Sequence, residues 1–153
     1  MLIIDQASKA FVLYALDLPR VDTIQLLPFL NFTMVWNYGI SMGLPLGPLL
    51  GKIGIIALTT GISLYLIRWM LTSQNRFERF GLAMIIGGAI GNLVDRFIHG
   101  AVADFIHLYG FGYHFYVFNG ADAAITIGAI VLIGDALRTM LNGPKKATTS
   151  GHD

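Results

Sequence analysis

The sequence predicts an all-α polytopic membrane protein with four transmembrane helices, the first truncated, and a small extracytoplasmic β-sheet. Three observations predict it. Of 153 residues, 55% are hydrophobic and only 12% charged, whereas a soluble domain carries about 25% charged residues. The apolar residues gather in stretches near the roughly 20 residues that a helix needs to cross a hydrocarbon core. Shorter runs between them are rich in aromatic and branched residues with partial alternation, the pattern of strands. The same figures exclude disorder and a collagen-like repeat, and the lack of cysteine excludes a disulfide-stapled module. Ten Lys and Arg against nine Asp and Glu leave a net charge of +1, so no nucleic-acid partner is expected.

The first element, Met1 to Leu18, is short for a span and is interrupted by Asp5, Gln6, Ser8 and Lys9. It reads as the remainder of a first transmembrane helix whose cytoplasmic half is missing. A cleavable signal peptide would place its charges before the apolar stretch rather than within it. Ile24 to Leu27 and Phe29 to Trp36 read as short strands, with Phe32, Met34 and Trp36 on one side and Asn31, Thr33 and Val35 on the other. They predict a small sheet on the outer membrane surface, with Trp36, Tyr38, Tyr109, Phe111, Tyr113, Phe115 and Tyr116 forming an interfacial belt.

Three full spans follow. Leu49 to Leu71 is interrupted only by Lys52 and Arg68, and Phe80 to Val94 carries no charge before it meets Asp95-Arg96. Ala121 to Leu141 has Asp122 at its start and Asp135 and Arg138 near its end, the latter two spaced for an i, i+3 ion pair. Gly54, Gly61, Gly87, Gly88, Gly91, Gly128 and Gly134 recur inside these spans, which suits close helix packing in lipid. Residues 1–142 are expected to form one membrane domain, and residues 143–153 a polar, disordered cytoplasmic tail.

Basic residues set the orientation. Arg68, Arg76 and Arg79 surround one short loop, and Arg138, Lys145 and Lys146 lie at the C-terminal end. The positive-inside rule assigns both to the cytoplasm. Both termini are then inside, and the segments around Asp17 to Pro48 and Asp95 to Gly120 are outside.

Ionisable groups at membrane depth need a partner or a task. Asp104 and Asp122 are 18 positions apart, enough chain to turn back and set two carboxylates on adjacent elements near the outer interface. Carboxylates held that close share a proton. The ionised member can activate a water while the protonated one polarises a carbonyl. Spacing alone equally allows a helix cap and an ion-pair partner. His99, His107 and His114 come without a HExxH pattern, so no metal is expected. A G-x-S-x-G elbow is absent, and without cysteine there is no thiol nucleophile.

The residues do match a known pattern. The continuous run from Gly88 to Ile106, with Asn92, Asp95, Arg96 and Asp104 in it, followed by Phe118-Asn119-Gly120-Ala121-Asp122-Ala123-Ala124-Ile125, resembles lipoprotein signal peptidase, also called signal peptidase II. Asp5-Gln6-Ala7-Ser8-Lys9 is similar to that family's D-Q-x-[ST]-K, and Asn37-Tyr38-Gly39 to its N-x-G. The resemblance implies an aspartic endopeptidase of the bacterial inner membrane. Such an enzyme removes the signal peptide from diacylglyceryl-modified prolipoproteins, cutting just before the lipidated cysteine, without a cofactor. It implies Asp104 and Asp122 as the catalytic pair. Asn37, Gly39, Asn92, Arg96 and Asn119 would orient the pair or hold substrate, and Asp5, Lys9 and Asp95 would support the site. Implied partners are the prolipoprotein substrate and membrane lipids, with the enzyme acting as a monomer. The chain departs from the family at Ser41 and Met42, where Ala and Phe are usual, and at Ala123, where serine is frequent. Tyr116-Val117 stand where a proline is common.

Two rival functions use the same composition. A small transporter or proton relay could employ the same acids, and a purely structural subunit would leave the four polar blocks without a reason. A presenilin-type protease is disfavoured because no G-x-G-D occurs.

Overall fold

The computed structural model of the chain describes residues 1–39, 47–110 and 113–142. Ser41, Met42, Phe111, Lys145, Lys146 and the 143–153 tail lie outside the described residues. Helix α1 (Leu2–Ala10) passes directly into a π-helical turn, Phe11–Ala15. The Leu16 N–H donates to the Phe11 carbonyl five residues back, at 3.0 Å, a widened turn of the sort often found near functional sites. Asp5, Lys9, Val12 and Leu13 fall on one buried stripe, while Ile3, Ile4, Phe11 and Tyr14 are exposed. The element is therefore charged inside and apolar outside, the reverse of a helix that faces water.

After a four-residue helix α2 (Leu18–Val21) come β1 (Thr23–Leu27) and β2 (Leu30–Asn37), close to the two strands expected. Then follow α3 (Gly47–Thr72), α4 (Arg76–Ile98), β3 (Val102–Gly110), β4 (Tyr113–Phe118) and α5 (Gly120–Asn142). The four strands pair antiparallel in the order β1-β2-β3-β4. Val12, Leu18 and Phe105 form the buried centre, with Leu16, Ile24, Phe32, Met34 and Ile106 packed around it. Phe32 meets Phe105 edge to face at 5.5 Å. The core thus joins the π turn to the sheet, and holds the start of β3 rigidly beneath the helices.

Three helices are long and apolar enough to cross a membrane, Leu49–Thr72, Arg76–Ile98 and Gly120–Leu141. The second exceeds the expected Phe80 to Val94 because Asp95 and Arg96 stay helical. Asp95 is buried against Lys9, so its charge is neutralised inside the bundle and does not end the helix. The stretch between α4 and α5 is not a loop but the β3–β4 hairpin, which puts Asp104 on a strand rather than at a helix end.

Helix α5 lies along α4, and α3 packs on the other side of α4. Glycine permits this closeness at particular points. A Cβ on Gly88 would run into the Ala121 carbonyl oxygen, and one on Gly128 would come within 2.5 Å of the Gly81 carbonyl oxygen. The packing argument does not extend to Gly54, Gly61 and Gly134, which face open space. Nor does the expected Asp135–Arg138 ion pair form. Asp135 Oδ2 instead accepts from Asn75 Nδ2 at 2.5 Å, because Asn75 caps α4 directly opposite it.

Candidate active site

At the end of the bundle where α4 finishes and α5 begins, five polar side chains form one hydrogen-bonded chain. Asn37 Nδ2 on β2 donates to Asp104 Oδ2 on β3 at 3.0 Å. Asn119 Nδ2 donates to Asp104 Oδ1 at 2.6 Å and to Asn92 Oδ1 at 3.1 Å. Asn92 Nδ2 on α4 donates to Asp122 Oδ1 at 2.8 Å. The two carboxylates are thus linked through two asparagines that spend their amide hydrogens on them, which fixes how each amide is oriented.

Asp122 is held in a second way. Asn119 precedes the first turn of α5 and accepts from the Asp122 N–H at 3.1 Å, while Asp122 Oδ2 accepts from the Asn119 N–H at 3.3 Å. This reciprocal pair is a capping box. The cap that the spacing allows is formed by Asp122: one carboxylate oxygen caps the helix and the other accepts from Asn92.

Behind the pair lies a buried charge cluster. Lys9 Nζ uses all three of its donors, on Asp5 Oδ2 at 2.9 Å, Asp95 Oδ2 at 2.8 Å and Asn92 Oδ1 at 3.0 Å. Each flanking carboxylate then takes one backbone N–H. Asp5 Oδ1 accepts from Ala121 N at 2.9 Å, and Asp95 Oδ2 accepts from Ala103 N at 3.1 Å. Ala121 and Ala103 immediately precede Asp122 and Asp104. One ammonium therefore ties together the backbone positions of both carboxylates. Gln6, which sequence reasoning left out of the site, adds Nε2 contacts to Asp95 Oδ1 at 3.0 Å and to Asp5 Oδ2 at 3.2 Å. Its place in the Asp5 to Lys9 block was the available signal.

Asp104 is 1% exposed. Burial pushes its carboxyl up to about 6, and the nearby Asp122 charge pushes in the same direction, while the Asn37 and Asn119 hydrogen bonds and Lys9 oppose the rise. Arg96 Nη1 donates to the Asn92 carbonyl at 3.2 Å, and its buried Nε has no partner among the described residues. Gly39, at φ +72°, sits against it, where a Cβ would lie 2.7 Å from Ile55 Cδ1 and 3.5 Å from Arg96 Nη2. Its N–H donates to Asn37 Oδ1 at 2.9 Å, so the Asn37 to Gly39 turn aims Asn37 at Asp104.

Asp104 also lines an open cavity of about 650 Å³ with Val35, Trp36, Asn37, Tyr38, Gly39, Phe115, Tyr116 and Val117. Trp36, Tyr38, Phe115 and Tyr116, expected only as an interfacial belt, thus also form the cavity wall. The histidines are not brought together as a trio. His107 Nε2 lies 3.3 Å from His114 Nδ1 on the β3–β4 hairpin, while His99 packs on Trp36.

Two carboxylates joined through asparagines, one of them lining an open, aromatic-walled cavity, are what a membrane aspartic peptidase requires, and the comparisons with known proteins place the chain in that class. The family model described as signal peptidase (SPase) II matches residues 1–138, and the chain belongs to that family. The lipoprotein signal peptidase of Nitrobacter hamburgensis is 43% identical over 144 residues, covering 90% of this chain and 88% of that protein. That of Methylorubrum extorquens is 40% identical over 154 residues, covering 99% and 90%. A bacterial membrane enzyme solved by the in meso method at 2.3 Å superposes with a TM-score of 0.80 at 30% identity, covering 97% of this chain and 89% of that one.

Proposed function

We propose that this chain removes the signal peptide from diacylglyceryl-modified prolipoproteins, cutting before the lipidated cysteine, with Asp104 and Asp122 as the catalytic pair. The observation that carries the reading is the Asn37–Asp104–Asn119–Asn92–Asp122 chain, which draws together three separate sequence blocks and reaches the cavity through Asn37 and Asp104. Asp104, buried and raised to about 6, is the member that holds the proton and polarises the scissile carbonyl. Asp122, half-buried, takes a proton from the attacking water. The tetrahedral intermediate collapses as the amide nitrogen is protonated, and no covalent enzyme intermediate or metal is required. The Arg96 Nε–H, without a partner among the described residues, is suited to donate to a substrate carbonyl, since a buried donor without a partner is rare unless something else supplies one.

The substrate fits the location. A lipid-modified peptide stays in the bilayer, so its scissile bond remains near headgroup level, and its acyl chains supply binding energy remote from the bond. We place the protein in the bacterial inner membrane with both termini cytoplasmic and the site near the outer face. Arg68, Arg76, Arg79 and Arg138 at the opposite end support this, and Lys145-Lys146 follow Arg138 in the sequence. The apolar outer face of α1, carrying Ile3, Ile4, Phe11 and Tyr14, supports α1 with its π turn as a fourth membrane element. We take residues 1–142 as one domain that acts as a monomer in contact with lipid, without a cofactor. Single cysteines at Gln74 and Leu26 in this cysteine-free chain should label from opposite sides of the membrane. A transporter or proton relay using the same acids is not favoured, because it gives the peptidase family no role.

The decisive experiment is cleavage of a diacylated prolipoprotein peptide in detergent. Asp104→Asn and Asp122→Asn should each lower turnover by at least about a thousandfold, by analogy with other paired catalytic groups, with the thermal unfolding transition retained. Normal turnover by either variant would remove that residue from the dyad.

A further inference from the structure

The end of the bundle opposite the dyad carries a second construction that the peptidase reaction does not use. Arg76 and Phe77 stand in the first turn of α4, and Arg138 in the last turns of α5. Both guanidinium groups lie on the same ring, Arg76 Cζ 5.1 Å and Arg138 Cζ 5.9 Å from the Phe77 centroid. Neither makes a salt bridge among the described residues, whose only ion pairs are those of Lys9. The two carboxylates nearest in sequence are engaged elsewhere, Glu78 by the Ser73 hydroxyl and Asp135 by Asn75. Two cations are therefore held side by side without a salt bridge, in a groove of about 490 Å³ that runs from Gln74 to Phe77 at the start of α4 and from Asp135 to Thr139 on α5, with Asp135 its one carboxylate among the described residues.

The groove does not stop at the charged end. A cleft of about 190 Å³ shares Phe77, Asp135 and Arg138 with it and continues to Val131 and Gly134. Val131, Gly134, Asp135 and Arg138 follow i, i+3, i+4, i+7 spacing, one face of α5. Progress from Arg138 to Val131 runs away from the bundle end towards the membrane interior. Gly134 lines the cleft, and a Cβ there would meet nothing within 4 Å among the described residues, so the space above it is open. A polar, cationic mouth leading to an apolar slot has the shape of a phospholipid rather than of a free ion.

We propose that this cleft binds an anionic phospholipid of the adjoining leaflet, its phosphate held by Arg76 and Arg138 and one acyl chain laid over Gly134. Basic pockets between membrane helices at the headgroup level recognise such lipids. Asp135 works against the ligand's charge, which gives the site a sign that can be tested in both directions. The proposal does not depend on the dyad and stands or falls separately from the peptidase reading.

The test is native mass spectrometry of the purified full chain with phosphatidylglycerol, phosphatidylcholine or inorganic phosphate. Phosphatidylglycerol should be retained several-fold over phosphatidylcholine. The Arg76→Gln/Arg138→Gln double variant should lower that retention by about tenfold or more, at roughly 1 kcal/mol per basic residue near a membrane surface. Arg68→Gln/Arg79→Gln removes the same charge outside the groove and should leave retention unchanged. Gly134→Phe should displace the lipid by filling the slot, and Asp135→Asn should strengthen retention even if the double arginine variant proves unstable. Equal loss from both arginine pairs, no preference for the anionic lipid, or full competition by inorganic phosphate at equal concentration would each overturn the proposal. Continued cleavage of the lipopeptide by the variants would show that they remain folded.

Discussion

Asp104, proposed as one of the catalytic pair, is the carboxylate whose surroundings shift it furthest among the described residues. Its carboxyl sits near 6 because burial penalises the charge. Cleavage that needs Asp104 protonated should therefore decline as pH rises through about 6. Asn37 Nδ2 donates to Asp104 Oδ2 and favours the ionised form. Asn37→Ala should consequently move the decline to higher pH, which a pH–rate profile of kcat/KM would read, and a shift to lower pH would contradict the assignment. The linkage to stability has a fixed sign. Between the ordinary value of 3.8 and about 6, the folded state binds more protons at Asp104 than the unfolded state. Its contribution to stability thus falls as pH rises through that window. Asp104 and Asp122 were legible as residues in the motif blocks. That Asp122 also caps α5 was visible only as a competing possibility, because a capping box and a dyad need the same residue at the same place.

At the level of elements, α1 decides where two other elements begin. Lys9 on α1 bridges Asp5 and Asp95, and those carboxylates hold the Ala121 N–H in the first turn of α5 and the Ala103 N–H at the start of β3. Lys9→Met would leave two buried carboxylates sharing a site with no cation. Removing one partner of a buried pair costs about 3–5 kcal/mol, so a large drop in thermal stability and loss of cleavage are expected together. Wild-type unfolding behaviour in this variant would show that the cluster is not structural. The motif spacing marked Asp5, Lys9 and Asp95 as supporting residues. It could not specify that their targets are backbone amides, since an amide N–H has no signature in the sequence. Asp104 on a strand was also not legible, because the β3–β4 hairpin is rich in aromatics that read as well as a membrane-interface belt.

For the whole molecule, the governing feature is how closely α4 and α5 approach. Gly88 lies against the Ala121 carbonyl, one residue before Asp122, so the helix contact and the dyad share a position. Gly88→Val should lower both the melting temperature and the cleavage rate. Gly54→Val and Gly61→Val on α3, where a side chain would meet nothing within 4 Å, should change neither beyond small propensity effects. Equal sensitivity at all three positions, measured by thermal unfolding in detergent, would mean that α3 has partners that its open surface does not indicate. The sequence marked glycine as a packing residue in every span, but only the tertiary contacts separate those that meet a backbone from those that face outward.

By itself the amino-acid sequence determines that this is a membrane protein, where its long spans lie and which family's blocks it carries, and it singles out the two acids that we propose as the catalytic pair. Those properties are local: span length, charge scarcity and motif order are all read along the chain. Tertiary structure alone decides that Asp95 and Arg96 remain helical, that Asp135 turns to Asn75 instead of Arg138, and that Asn119 and Asn92 bridge the two carboxylates. Each depends on a partner distant in sequence, as Asp5 is 116 residues from the Ala121 amide that it holds. In a buried site the partner, not the residue's own propensity, sets whether a charge ends a helix, pairs with a cation or stands ready to take a proton.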